Sequence, residues 1–383
     1  MTFVRKRKSC KILMNNYVDK DLQSMLYPLN LTQNYVFCPK YRIENDHIVP
    51  VGLVHKLINL CFIIMSLLLF TYRWYTRYFN KKISEFYKVS DFYTNCLDFS
   101  FTLITILMNN STMFFKSNDN ITFVLKLRDI HRFINNKIGF NRFIVGNWIS
   151  IVLIFSYAET FVLSVCFLLR LPFHDYMCGF ILSSIDLNTV YVIRLIKILK
   201  EKVLLWNSLT YQSSIMSDKE KSDFYVRMFQ AYENILDCFN AYKRSFQIVI
   251  FVICMSFLSS TSIHVQISID NFKNKDYSGN FMLIDMTLNV AWIIKSFVVY
   301  VILSLEFEKF YMATEDVLDT CAIKKKSCCS DERQLYKNVD RLHRTMFEKM
   351  NIYGMFQVDA TLPLVLTSAT TSVLLLLLQL AFL

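Results

Sequence analysis

Residues 359–383 read DATLPLVLTSATTSVLLLLLQLAFL, and Asp359 carries the one charged side chain among them. A helix of about 20 apolar residues crosses the hydrocarbon layer of a bilayer, so this stretch is long enough to span it. Pro363 marks a break near its start. The stretch therefore predicts a membrane-spanning helix at the C-terminal end of the sequence.

Six further apolar segments precede this one. Each is near the length that spans hydrocarbon as a helix, and they lie at residues 57–75, 91–115, 143–169, 174–199, 245–269 and 281–304. The chain is 54% hydrophobic and only 19% charged, whereas soluble domains carry about a quarter charged residues. The sequence predicts an all-α, polytopic membrane protein with seven transmembrane helices.

Two polar stretches beside these segments keep a helical spacing of apolar residues. Residues 200–244 show it, and we expect them to be continuous with the fifth segment. Residues 306–350 show a similar pattern among many charges. Both stretches predict long helices that extend beyond the bilayer on one side.

Lys and Arg are distributed unevenly between the two sides of this arrangement. With the N-terminus in the cytoplasm, 32 of the 42 basic residues fall in cytoplasmic stretches, as the positive-inside rule requires. We therefore predict a cytoplasmic N-terminus and an extracellular C-terminus. Because the basic residues form no single patch, the net charge of +11 does not indicate a nucleic-acid partner.

Several polar and aromatic side chains fall within the predicted spans. Polar groups inside a membrane face the interior of the bundle and often line a ligand path, although interhelical hydrogen bonds are the competing interpretation. The candidates for a ligand pocket are Asp98, Tyr157, Glu159, His264, Asp285, Asn289 and Trp292. Lys295 lies deep in the sixth segment, where it either pairs with an acid such as Asp186 or extends toward the membrane surface.

The last segment has an unusual polar pattern. Hydroxyl-bearing and small residues at 367–372 are followed by five leucines and Gln379. A single amide among leucines is costly when it faces lipid, so Gln379 is expected to face a partner helix or a pore. Hydroxyl side chains fit both roles, since they line aqueous paths and also join helices.

This segment resembles the C-terminal end of insect gustatory receptors. Those receptors end with Thr-Tyr, five hydrophobic residues and Gln-Phe; this chain has Ser372-Val373, five leucines and Gln379-Leu380. The resemblance implies a tastant-gated, non-selective cation channel, assembled as a homo- or heterotetramer with other gustatory receptors. It implies that Gln379, Leu380, Ser372 and Val373 form the pore and its gate.

The resemblance also divides the chain into four parts: a cytoplasmic N-terminal segment (1–56), transmembrane segments 1–6 with the ligand pocket in their outer half (57–304), a cytoplasmic helical subunit-contact region (305–358) and the pore-lining segment (359–383). It implies a multi-pass protein in the cell membrane of a sensory neuron, with a small-molecule tastant and membrane lipid as partners. We expect no enzyme, cofactor or metal, because catalytic motifs and zinc spacing are lacking.

Two other receptor classes compete with this interpretation. An odorant-receptor-type ligand-gated channel has the same inverted topology, and the Gln379 motif favours the gustatory type over it. A G-protein-coupled receptor is less favoured, because its N-terminus lies outside the cell. The sequence also lacks Asp-Arg-Tyr after the third segment and Asn-Pro-x-x-Tyr in the seventh.

Overall fold

A computed structural model describes residues 16–79, 89–134, 137–212, 218–273, 279–327 and 330–382. Helices and two short hairpins make up this part of the chain: α1 (Lys20–Tyr35), β1 (Arg42–Glu44), β2 (His47–Val49), α2 (Leu53–Phe79), α3 (Val89–Phe115), α4 (Ser117–Phe133), α5 (Lys137–Leu168), α6 (Phe173–Gln212), α7 (Asp218–Lys273), α8 (Gly279–Ser327), α9 (Ser330–Met346), β3 (Asn351–Ile352), β4 (Phe356–Gln357) and α10 (Leu362–Phe382).

The seven predicted apolar segments coincide with helices α2, α3, α5, α6, α7, α8 and α10. Within the described residues, five helices contain a stretch long and apolar enough to cross a membrane: Leu53–Thr76, Asn141–Leu168, Phe173–Tyr211, Lys221–Gln266 and Met286–Lys326. Helices α3 and α10 contribute shorter apolar stretches, Phe99–Phe115 and Leu362–Leu376. The all-helical membrane class is confirmed, while the number of spans and the orientation of the termini stay predictions.

A tight turn joins α5 to α6. The backbone N–H of Leu171 donates to the carbonyl of Cys166 at 2.9 Å, and Arg170 adopts a left-handed conformation with φ of 51°. This is the pattern of a Schellman helix end, which normally uses glycine at the left-handed position. Pro172 then directs the chain into the antiparallel α6.

Two helices are far longer than a bilayer is thick. Helix α7 has 56 residues and α8 has 49, which correspond to about 84 and 74 Å at 1.5 Å per residue. Hydrocarbon accounts for only about 30 Å of that length. The predicted continuity of the fifth segment with the polar stretch before it is confirmed from residue 218 onward.

The long helices pack around an aromatic core where they extend beyond their apolar spans. We define this aromatic core by its buried rings: Trp206, Tyr232, Phe239, Tyr242, Phe307, Phe310 and Tyr311. Phe239 and Phe310 join α7 to α8 with ring centroids 4.7 Å apart. The indole N–H of Trp206 donates to the carbonyl of Met228 at 2.8 Å, which ties α6 to α7.

Two helices lie in stretches to which the sequence analysis assigned no helix. Helix α1 packs against α5 and α6 through buried Leu22 and Leu26, one helical turn apart. Helix α4 packs against α7 and buries Phe123 and Leu127, also four residues apart. In both helices the i, i+4 spacing of apolar residues supplies the contact face.

A short hairpin links α9 to α10. Strands β3 and β4 pair Ile352 with Phe356, and Gly354 at the tip has φ of 75°, a conformation that glycine adopts without steric cost. The N–H of Met350 donates to the phenolic oxygen of Tyr311 at 3.0 Å, and so fixes this connection to α8.

Candidate ligand cavity and C-terminal helix

A cavity of about 270 Å³ lies among α2, α3, α5, α6, α7 and α8. Its wall combines large apolar side chains with a smaller number of polar ones, as ligand sites commonly do. The apolar part comprises Phe101, Phe161, Val162, Val165, Cys166, Leu169, Leu171, Gly179, Leu182, Ile185, Ile253, Phe257, Leu288, Trp292, Ile293, Val299 and Tyr300. The polar part comprises Arg73, Thr102, Asp175, Asp186, Thr189, Ser256, Ser259, Ser260, Thr261, His264, Asn289, Lys295 and Ser296.

An ion pair between two helices forms one side of this wall. Lys295 Nζ on α8 donates to Asp186 Oδ2 on α6 at 2.8 Å. The same ammonium lies 3.6 Å from the ring centroid of Trp292, a cation–π contact. Because both charged side chains are largely buried, each needs the other to compensate for lost hydration. The pairing of Lys295 with Asp186 that the sequence suggested is therefore confirmed.

A second ion pair lies near the α5–α6 turn. Arg73 Nε on α2 approaches Asp175 Oδ1 on α6 at 2.6 Å, and His174 Nε2 lies 3.7 Å from the other carboxylate oxygen. Asp175 precedes Asp186 by eleven positions on α6, about 16 Å along the helix axis. The two pairs therefore lie at different levels of the cavity, and within each pair the two charges balance.

Hydroxyl side chains add hydrogen-bond acceptors to the wall. Thr189 Oγ1 donates to the carbonyl of Ile185 at 2.9 Å, and Ser259 Oγ donates to the carbonyl of Ser256 at 3.2 Å. Since each hydroxyl proton is engaged with its own helix, its oxygen lone pairs are left to accept.

The helices approach closely beside the cavity because α6 has a glycine there. A Cβ atom at Gly179 would lie 2.5 Å from Cγ1 of Val162 on α5. Any larger residue at this position would push the two helices apart. Gly179 therefore sets the width of the α5–α6 side of the wall.

The structure brings together part of the predicted pocket. His264, Asn289 and Trp292 line the cavity. Tyr157 and Glu159 do not; Tyr157 stacks on the cavity residue Phe161, and Glu159 accepts a hydrogen bond from the Tyr176 hydroxyl at 3.3 Å. The side chains of Asp98 and Asp285 lie outside the described part of the structure.

Other cavity residues were not among the predicted pocket set. Arg73 lies near the end of the first predicted segment, and its guanidinium pairs with Asp175 on α6. The serine-rich run 259–262 of α7 was a usable signal, because four hydroxyl residues in a row are unusual inside an apolar span. Phe161 carried no signal, since the fifteen per cent aromatic content makes any one phenylalanine unremarkable.

Helix α10 contacts the rest of the chain along one short stripe. Leu362, Leu366 and Thr370 are buried, four residues apart, where α10 packs on α7 and α8. Beyond Thr370, the side chains of Ser372, Val373 and Gln379 are exposed on the single chain. The side chain of Leu380 lies outside the described residues. None of the described α10 residues lines the cavity.

The arrangement of helices described above is similar to that of a solved membrane receptor. A similar solved structure is the insect olfactory receptor OR5 from Machilis hrabei in complex with eugenol, with a TM-score of 0.56 over 94% of this chain and 100% of that chain. Sequence identity is 11%, so the similarity concerns the fold. No family model and no curated protein matches the sequence. The fold implied by the resemblance is thus supported, and the chemoreceptor role and the gustatory type stay predictions.

Proposed function

We propose that this chain is a subunit of a ligand-gated, non-selective cation channel of the gustatory receptor type. The observation that carries the proposal is a cavity enclosed by six helices of a fold shared with an insect olfactory receptor over 94% of the chain. That receptor is solved with eugenol, which supports a small molecule as the ligand here. We assign the agonist to this cavity.

Helix α10 supports the channel part of the proposal. Its second half exposes Ser372 and Gln379 on a single chain, and polar side chains at membrane depth need a partner or water. Four copies around a central axis would cover the leucines and turn the amides toward a shared path. A ring of amide dipoles without net charge suits a poorly selective cation pore. Val373 and Leu380 belong to the same proposed constriction.

The proposed arrangement keeps the four-part division of the chain. Residues 1–56 and 305–358 lie in the cytoplasm, the six spans within 57–304 hold the pocket, and 359–383 lines the pore with its end outside the cell. Residues 305–358 form the subunit contacts. The protein is placed in the cell membrane of a sensory neuron, in a homo- or heterotetramer.

An odorant-receptor-type channel is the second candidate. The similarity to an olfactory receptor favours it, whereas the terminal motif around Gln379 favours the gustatory type. The two candidates share the pore and differ in the agonist. A panel that contains sugars and bitter alkaloids on one side and volatile alcohols and phenols on the other separates them.

The test is to record whole-cell currents from expressed wild-type protein and from Gln379→Ala. We expect agonist-evoked cation currents in wild type and an altered unit conductance or permeability ratio in the variant, because the amide ring is lost. Leu364→Ala is the matched control, since Leu364 is exposed on the first half of α10. Unaltered permeation in Gln379→Ala would remove the pore assignment, and surface protein silent to the whole panel would contradict a channel.

A further inference from the structure

The charged side chains in the described wall of the cavity form closed pairs. Arg73 pairs with Asp175, and Lys295 pairs with Asp186. A ligand with a net charge would find no counter-charge left over, and burying such a charge without a partner is strongly unfavourable. The cavity therefore favours an uncharged ligand.

Asp186 retains hydrogen-bonding capacity after pairing. Lys295 donates to Oδ2 at 2.8 Å, and Oδ1 receives no hydrogen bond from the described residues. A carboxylate accepts several hydrogen bonds and donates none. Because its side chain lies in the cavity wall, Asp186 offers a charged acceptor to whatever fills the space.

Hydroxyl groups in the cavity wall also offer hydrogen-bond acceptors, as Asp186 does. The protons of Thr189 and Ser259 are engaged with carbonyls of their own helices. The acceptors in the wall around Asp186 thus favour a ligand that donates a hydrogen bond. Aromatic side chains such as Phe161, Phe257 and Trp292 form the remaining surface and call for an apolar or aromatic body.

We propose that the cavity selects a compact, uncharged, largely apolar molecule that carries a hydroxyl group, and that Asp186 recognises this hydroxyl. The inference rests on the proposed function, because it takes the cavity as the agonist site. Lys295 is a positioning residue: it holds the carboxylate through one oxygen and is itself held over Trp292. The volume of about 270 Å³ lies just below the roughly 300–1,000 Å³ of sites for drug-sized ligands, so the ligand is small.

The test compares matched probes on purified full-length protein in nanodiscs. The probes are 4-ethylphenol and 2-phenylethanol, each paired with its methyl ether, and binding is followed calorimetrically without any need for conduction. We expect wild type to bind each hydroxyl compound roughly ten- to a hundredfold more tightly than its ether, because hydrogen bonds to charged groups are the stronger kind.

Replacing the ion pair should remove this discrimination. In Asp186→Leu/Lys295→Leu the ratio of hydroxyl to ether affinity should fall close to one, and no charge is left unpaired. Asp186→Asn/Lys295→Gln is the second variant and should lower the ratio while it keeps a polar contact. Lys126→Gln/Asp237→Asn, which replaces an ion pair (2.8 Å) between α4 and α7 outside the cavity wall, is the control and should retain the wild-type ratio. Lys295→Arg should also retain it, whereas Lys295→Met should not.

Three results would overturn the inference: equal affinity of wild type for hydroxyl compounds and ethers, a preference that survives loss of Asp186, or no binding of any hydroxyl probe. None of them bears on whether the chain conducts, which the currents evoked by the wider panel decide. Loss of those currents with an intact hydroxyl preference would instead reject the channel and retain the binding site.

Discussion

Helices α7 and α8 build two different interiors along their length. Where they extend beyond the apolar spans, they pack on each other through the aromatic core, with the rings of Phe239 and Phe310 tilted and their centroids 4.7 Å apart. Within the spans both helices border a cavity of about 270 Å³. We call these the core end and the cavity end of the molecule.

The difference shows how the chain combines rigidity with room for a ligand. Close-packed interiors lose several kcal/mol when a buried side chain is removed, whereas a wall that already faces empty space has less packing to lose. We therefore expect the core end to hold the long helices together and the cavity end to tolerate changes in its side chains. Truncations, packing changes and protonation should affect the two ends unequally.

Truncation of one phenylalanine at each end should give the largest contrast. Phe239→Ala removes a ring that is 1% exposed and contacts other rings on several sides, so we expect a loss of about 3–5 kcal/mol in the free energy of unfolding. Phe161→Ala, on the cavity wall, should cost less than about half as much, because one face of its ring already borders open space.

The measurement is the thermal unfolding midpoint of detergent-solubilised protein for both variants. Phe161→Ala should in addition change ligand binding while Phe239→Ala should not, provided that the latter is assayed below its lowered midpoint. Equal losses of stability at the two positions would show that the cavity end is packed as tightly as the core end.

Sequence patterns predicted the apolar helices and the helical extensions beside them, and they missed helices α1 and α4, which are short and pack against other helices. The run of leucines in α10 has one interpretation, since nothing but hydrocarbon or another apolar surface covers such a stretch. Helix α1 exposes Tyr27, Leu31 and Tyr35 yet fully buries Leu22. Its apolar positions are too scattered for a span, and their helical spacing becomes evident only against α5 and α6.

The site was predictable only where the residue type was itself unusual. A charged side chain deep in an apolar span is unusual, and on that ground Lys295 was given either an acidic partner such as Asp186 or an extension toward the membrane surface. His264, Asn289 and Trp292 were identified for the same reason. Glu159 met the same criterion but turns to Tyr176, because residue type does not define the face of a helix that a side chain occupies. Whether an aromatic residue such as Phe161 lines the cavity depends on how the helices pack, which its residue type does not indicate.

Enlarging a glycine at each end of the α5–α6 pair should give a smaller contrast. At Gly179, beside the cavity, a new Cβ would meet Val162 at 2.5 Å, and β-branched side chains in helices have essentially one rotamer to offer. Overpacking of this kind costs about 1–3 kcal/mol. Gly146, toward the core end, would meet the flexible end of Arg194 at 2.9 Å, which can move aside.

We therefore expect Gly179→Ala to lower the unfolding midpoint and to weaken ligand binding. Gly146→Ala should leave both nearly unaltered or raise stability slightly, since alanine favours a helix by up to about 1 kcal/mol over glycine. Similar destabilisation by both variants would argue against a close α5–α6 approach that is specific to the cavity.

Protonation should give the smallest difference between the two ends. It should lower the stability of the core end. His343 is buried there, with Nδ1 at 2.6 Å from the Tyr232 hydroxyl and its ring stacked 4.5 Å from Phe347. Burial lowers its pKa to about 4; the nearby Asp340 opposes this shift, and Arg344 adds to it. The unfolded chain, with a histidine pKa near 6.5, then takes up the proton first. The contribution of His343 to the free energy of unfolding is therefore fully present above pH 6.5. It falls as the pH drops toward 4, by at most about 1.4 kcal/mol per pH unit.

His131 on α4 should add to this dependence, because burial and Lys202, 2.9 Å away, lower its pKa to about 4 as well. We expect the unfolding midpoint to decrease as the pH is lowered from 7 to 5. His343→Gln should reduce this decrease, whereas His47→Gln, at an exposed position, is the control and should not. Hydroxyl-probe binding at the cavity should remain nearly constant over the same range wherever the protein is folded. A midpoint that is independent of pH in wild type would mean that neither histidine is held neutral by the core end.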